Sequence, residues 1–173
     1  HAKTLINGEV PGAILTAVCD IDPKKLEWAQ RELGEDVLKF DNLESFLECG
    51  ELDGVIIATP HYDHPPIAIK CFGKGLDVLV EKPAGVYTKQ VREMNEAAEK
   101  SGKVFCIMYC LRTNPTFAKV REIIKSGELG SLKRTNWIIT TCYRSQSYYN
   151  SGGWRATWKG EGGGVLLNQS PHQ

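Results

Sequence analysis

The chain has no excess of charge of either sign, no long apolar run and no closely paired cysteines, and each lack removes a class of protein. Lys+Arg and Asp+Glu both total 21 in 173 residues, so the basic face that marks nucleic-acid and membrane-surface proteins is missing. Neither nucleic acid nor membrane is expected as a partner. No apolar run approaches the roughly 20 residues of a membrane span, and no signal peptide is visible. The six cysteines, Cys19, Cys49, Cys71, Cys106, Cys110 and Cys142, contain no Cys-x-x-Cys pair. Several fall in apolar strand patterns, where a free thiol behaves as a small hydrophobe. A reduced, cytoplasmic protein is expected. His61, His64 and His172 make no ligand set with those cysteines, so no metal site is expected.

What is present is an alternation of strands and helices. His1 to Gly8 reads as the end of a helix, and Ala13 to Cys19 as a buried strand closed by Asp20. Asp22 caps a helix with Pro23 at its first position and a Leu26, Ala29 and Leu33 stripe, stopped by Gly34. Val37 to Phe40 is a short strand, and Asp41 with Glu44 has the spacing of a capping box for the next helix. Gly54 to Ala58 is a buried strand, and Pro65 and Pro66 open a helix ended by Gly73 or Gly75. Asp77 to Val80 has the pattern of a strand buried on both faces, ending in Glu81-Lys82-Pro83. A helix from Thr88 to Ser101-Gly102 and a strand from Val104 to Tyr109 follow. Such alternation indicates βαβ units and a parallel sheet.

The texture changes after Arg112. Asn114 caps a helix through Phe117, Val120 and Ile124 that stops at Gly127. Ser131 to Tyr143 alternates Trp137, Ile139 and Thr141 against polar neighbours, as a strand covered on one face does. Two domains are expected: a parallel-sheet unit over 1–111, and over 112–173 the start of a second unit built on a mostly antiparallel sheet.

Ligands of open α/β sheets bind beyond the carboxyl ends of the strands, and three groups of residues stand there. Asp20 is either a turn aspartate or the acid that accepts from adenosine ribose hydroxyls. No arginine adjoins it to receive a 2′-phosphate, which favours NAD over NADP. Thr59-Pro60-His61 can reach a nicotinamide ribose, while His64 caps its helix or hydrogen-bonds a loop. Lys82 is held at a strand tip beside Glu81 by Pro83. Near the end, Gly162-Gly163-Gly164 permits close backbone approach. Asn168 and His172 are spaced to share one helix face, as caps or as catalytic groups, histidine being the usual acceptor of a hydroxyl proton. The Gly-x-Gly-x-x-Gly turn that cradles a pyrophosphate is absent.

Ala17-Val18-Cys19-Asp20, Ala58-Thr59-Pro60, Glu81-Lys82-Pro83, the Arg112 to Pro115 junction, Gly153-Trp154-Arg155, and Gly162-Gly163-Gly164 leading to His172 together resemble the Gfo/Idh/MocA oxidoreductases. The resemblance covers essentially the whole chain. It implies a Rossmann domain followed by an α/β domain with a large antiparallel sheet, NAD as cofactor, a sugar, inositol or related polyol as substrate, and a homo-oligomer, dimer or tetramer. It implies that Lys82 orients the substrate hydroxyl and the nicotinamide, that His172 is the general base, and that Asn168 contacts substrate where many members carry aspartate. It also implies that Trp154 and Arg155 approach cofactor or substrate. Members run to about twice this length, so the sequence reads as an internal fragment of a longer oxidoreductase. Two other functions share the resemblance: an NAD-dependent glycosidase, and a sugar or nucleotide sensor without turnover.

Overall fold

The computed structural model describes residues 1–140, 143–151 and 153–173. Five parallel strands and nine α-helices are formed by the described residues. Helix α1 (Ala2–Ile6) leads to β1 (Ala17–Cys19), α2 (Pro23–Leu33), β2 (Leu38–Phe40), α3 (Leu43–Leu47) and β3 (Gly54–Ile57). Then come α4 (His64–Gly73), β4 (Asp77–Glu81), α5 (Thr88–Ser101) and β5 (Phe105–Met108). Strands β1 and β2 pair in parallel as one sheet, and β3, β4 and β5 pair in parallel in that order as a second. Every strand tip in a sheet therefore faces one way, and the tips of β3 and β4 share a rim.

Local chemistry explains most element ends. Asp22 accepts from the Lys24 N–H at 3.0 Å, and Pro23 sits at N1 of α2. Gly34, Gly102 and Gly127 end α2, α5 and α6 (Pro115–Ser126) with positive φ, a conformation only glycine adopts cheaply. The cap of α3 is Asn42, not Asp41: its Oδ1 accepts from the Ser45 N–H at 2.9 Å, so the Asp41–Glu44 capping box does not form. Strand β1 is shorter than the apolar run from Ala13, because its ladder with β2 extends only over Ala17 to Cys19.

Strand β4 corrects a stronger expectation. Val78 and Val80 are buried, while Asp77, Leu79 and Glu81 are only half-covered. The main core lies on one face of the sheet, where Ile57, Val78 and Val80 meet Ala68, Cys71 and Phe72 of α4 and Met94 and Ala98 of α5. Each such large side chain contributes about 1.5–3 kcal/mol by burial. A smaller cluster of Ala29, Leu33 and Val37 supports β1 and β2.

Beyond Asn114 the described residues are helical or irregular: α6, then α7 (Gln146–Ser151), α8 (Trp158–Glu161) and α9 (Val165–Asn168). The strand expected over 131–143 is not formed in 131–140, and Thr141 lies outside the described residues. Alternation specifies which face is apolar, but a strand also needs a partner for its N–H and C=O groups, and no antiparallel ladder occurs among the described residues. Asn168 and His172 do not share one α-helix either. Helix α9 ends at Asn168, and Ser170–His172 is a separate 3₁₀ turn. Pro171 lacks the N–H that a continuing helix would need and disfavours helical backbone at Ser170. No helix among the described residues is long and apolar enough to cross a membrane.

Candidate active site

Lys82 follows β4 directly, and the Lys82–Pro83 bond is cis. Its half-buried side chain turns towards α9, where Nζ donates to Asn168 Oδ1 at 2.7 Å and to the Asn168 carbonyl at 3.1 Å. Asn168, 8% exposed, points its amide the other way as well: Nδ2 donates to Glu161 Oε1 at 2.9 Å. Glu161 is equally buried, at 8% exposure. A chain of charge-assisted bonds thus runs from carboxylate through amide to ammonium, and it fixes which way the amide faces.

The glycines beside this chain have a steric cause. Gly162 has φ +75°, and a Cβ there would collide with the Val86 side chain. That close approach brings Glu161 and α9 against the loop after β4.

The rim of β3 is built on histidines. His64 is fully buried, with Nδ1 2.7 Å from the Pro83 carbonyl and Nε2 2.8 Å from the Thr59 carbonyl. It therefore ties the loop after β3 to the loop after β4. His61 is also buried; its Nδ1–H donates to the Glu161 carbonyl at 2.9 Å and its ring meets Trp154 edge-on at 5.2 Å. Burial pushes the His61 pKa down, with the bond to the Glu161 carbonyl opposing. Thr59 Oγ1 is buried without a hydrogen-bond partner, and Pro60 precedes the 3₁₀ turn of His61–Asp63.

The remaining expected residues divide between this rim and the β1 tip. Glu81 accepts from His1 Nε2 at 2.8 Å and from the Lys82 N–H at 3.2 Å. Arg155 stacks over the Trp154 ring at 4.5 Å. His172 meets Tyr109 edge-on at 6.2 Å, and its Nδ1 is buried without a partner. Asp20 stands exposed at the end of β1, where one carboxylate oxygen accepts from the Asp22 N–H at 2.9 Å.

Electrostatics single out Lys82 and His172. Burial lowers the Lys82 pKa from the ordinary lysine value; Glu81 opposes this, and Arg144 and Arg155 reinforce it. Burial also lowers the His172 pKa, and the charge of Lys82 adds to the effect. Both effects favour the neutral imidazole of His172. Such a pair, a neutral base and a fixed cation, can take a proton from a hydroxyl and stabilise the oxygen left behind.

Glu161 and Arg144 belong to this arrangement, and sequence reasoning missed both. Glu161 precedes the triple glycine, which was the available signal, but nothing in its spacing ties it to Asn168. Arg144 donates to Gln169 Oε1 at 2.9 Å, a contact between residues 25 apart in sequence.

Comparison with known proteins identifies the family. The model of an oxidoreductase family with an NAD-binding Rossmann fold matches residues 2–109, and that of the GFO/IDH/MocA C-terminal domain matches residues 117–173. The chain is 29% identical over 140 residues to the rhizopine catabolism protein MocA of Rhizobium meliloti, covering 81% of this chain and 41% of that protein. It is 33% identical over 130 residues to scyllo-inositol 2-dehydrogenase (NAD(+)) of Bacillus subtilis, covering 75% of this chain and 37% of the relative. The WlbA dehydrogenase of Bordetella pertussis, solved in complex with NADH and UDP-GlcNAcA, superposes with a TM-score of 0.83 at 27% identity, over 99% of this chain and 48% of that one. The chain thus spans less than half the length of these relatives. From the matched models and the parallel sheet with its Glu-Lys-Pro strand tip, the chain belongs to the GFO/IDH/MocA oxidoreductase family.

Proposed function

We propose that this chain is part of an NAD-dependent dehydrogenase that oxidises or reduces a hydroxyl-bearing carbon of a sugar, inositol or related polyol. The observation that carries the reading is the Lys82–Asn168–Glu161 chain at the tip of β4, with a His172 whose pKa burial and the Lys82 charge lower. The scyllo-inositol 2-dehydrogenase (NAD(+)) of Bacillus subtilis, 33% identical, supports the same reaction class. Residues 1–111 form the dinucleotide-binding unit and 112–173 the beginning of the substrate unit.

The residues present suit the nicotinamide and ribose parts of NAD. Thr59 Oγ1 is a buried hydroxyl without a partner on the same rim as Lys82, and Asp20 offers an exposed carboxylate at the tip of β1. Pro60, His61, Glu81 and Trp154 complete the cofactor side, and Asp20 without an adjacent arginine favours NAD over NADP. Bound NAD supplies the two-electron acceptor.

In the oxidative direction, Lys82 donates to the substrate oxygen and holds the hydroxyl in place. His172 takes the hydroxyl proton, and the ammonium stabilises negative charge as it develops on that oxygen. Asn168 sets the Lys82 orientation and is itself within reach of a substrate hydroxyl. In reduction, protonated His172 returns the proton.

The test is Lys82→Met in the complete protein, with NADH binding read by fluorescence and turnover by NADH absorbance. Turnover is expected to fall at least about 100-fold, the scale for losing a fixed electrostatic donor, with NADH affinity unchanged. Turnover close to that of the parent would remove Lys82 from the mechanism.

A further inference from the structure

Two arginines near Lys82 lack what arginines at half-buried positions usually have. Arg144 stacks over the Tyr148 ring at 4.9 Å and donates to Gln169 Oε1 at 2.9 Å. Arg155 reaches the hydroxyl of that same Tyr148 at 3.5 Å and covers the Trp154 ring at 4.5 Å. All of these contacts are neutral groups. Among the described residues neither guanidinium is paired with a carboxylate.

Both guanidiniums bracket one tyrosine, and both act on Lys82. The acid whose charge reaches Lys82 is Glu81, and its carboxylate is already engaged by His1. Glu161 is buried and engaged by Asn168. Three cations, Lys82, Arg144 and Arg155, thus converge at a partly desolvated rim with little counter-charge. Cations gathered this way repel one another, and removing them from water without a partner is costly. An anion entering between them relieves both terms, and a guanidinium fork matches a carboxylate or a phosphate in two parallel hydrogen bonds.

We propose that the substrate of this site is a sugar or polyol bearing an anionic group, a carboxylate or a phosphate, which Arg144 and Arg155 hold while its hydroxyl lies at Lys82. The inference rests on the dehydrogenase reading and narrows its substrate class. Tyr148 sets the spacing of the two guanidiniums. The aromatic faces of Tyr148 and Trp154 hold them in place, so the binding geometry exists before the ligand arrives.

The experiment uses the complete protein, with glucose, glucuronate and glucose 6-phosphate as matched probes differing in the anionic group. Turnover is followed by NADH absorbance, direct binding by calorimetry and NADH affinity by fluorescence. The expected result is a kcat/KM for at least one anionic probe that exceeds the value for glucose. That preference should fall by about 10- to 100-fold in Arg144→Gln and in Arg155→Gln, the scale of one charge-assisted contact, and weaken as salt rises. Preference for glucuronate or for glucose 6-phosphate assigns the anion as carboxylate or phosphate. Equal use of glucose and both anions, undiminished by either variant, overturns the anionic substrate and leaves the dehydrogenase standing. Weakened NADH binding in the variants, with the preference among probes intact, assigns the arginines to the cofactor and equally overturns it. If no probe is turned over, calorimetric binding of an anion that is lost in both variants still supports the anion site, while the dehydrogenase reading loses its support. Absence of anion binding as well sinks both.

Discussion

Asn168→Asp would place a second carboxylate inside the Lys82–Asn168–Glu161 chain. The new carboxylate would lie 2.7 Å from the Lys82 ammonium and 2.9 Å from Glu161 Oε1, taking the distances of the present amide atoms. At an effective dielectric constant near 20, the attraction and the repulsion each amount to about 6 kcal/mol and cancel. What remains is the cost of a second acid at a site 8% exposed. The molecule escapes that cost by taking up a proton shared between residues 161 and 168, as close carboxyl pairs do. An unfolded aspartate has a pKa of about 3.9, so holding the proton at pH 7 costs up to about 4 kcal/mol, and at pH 5 about 1.5 kcal/mol. The sign follows from linkage. The folded pKa of the pair is raised above the unfolded value, so the variant matches the parent below about pH 4 and loses stability, relative to it, as pH rises. Combining Asn168→Asp with Glu161→Gln moves the one negative charge from 161 to 168, and should return the stability to within about 1 kcal/mol of the parent. Urea denaturation of the complete protein at pH 5, 7 and 8.5 measures the parent and both variants. A single Asn168→Asp variant with the parent's stability at pH 8.5, or a double variant no better than the single one, would refute the reasoning.

His64→Ala should cost about 3 kcal/mol, since it opens a cavity and leaves the Thr59 and Pro83 carbonyls without their buried donor; a denaturant midpoint equal to the parent's would contradict the tie between the two strand tips. For oxidation, the acid limb of the kcat/KM profile should fall below pH 6.5, the ordinary histidine value, because burial and Lys82 lower the His172 pKa. A limb at or above that value, or one that persists in His172→Gln, would assign the titration to another group.

Much of the parallel unit is fixed by sequence, because short-range rules decide it. The Asp22–Pro23 and Asn114–Pro115 helix starts and the glycine stops at Gly34, Gly102 and Gly127 follow from one or two neighbouring residues. The strand ending at Glu81 also required only the local pattern. That Lys82 stands at its tip follows from strand direction, since parallel strands bring their carboxyl ends to one rim.

Tertiary structure decided what depends on a partner distant in the chain. The apolar pattern of 77–80 did not reveal that one face of β4 would be only half-covered, because burial depends on what packs there. The alternation over 131–140 did not make a strand, because a ladder needs a second chain segment. Pro171 was visible, but its consequence, separate turns for Asn168 and His172, is a matter of backbone geometry. Least legible of all was the role of Glu161: its carboxylate meets Asn168 only because Gly162 lets the chain pass against Val86. Composition and spacing determine which side chains can do chemistry, and long-range packing alone determines which of them meet, because a hydrogen bond forms within about 3 Å whatever the separation in sequence.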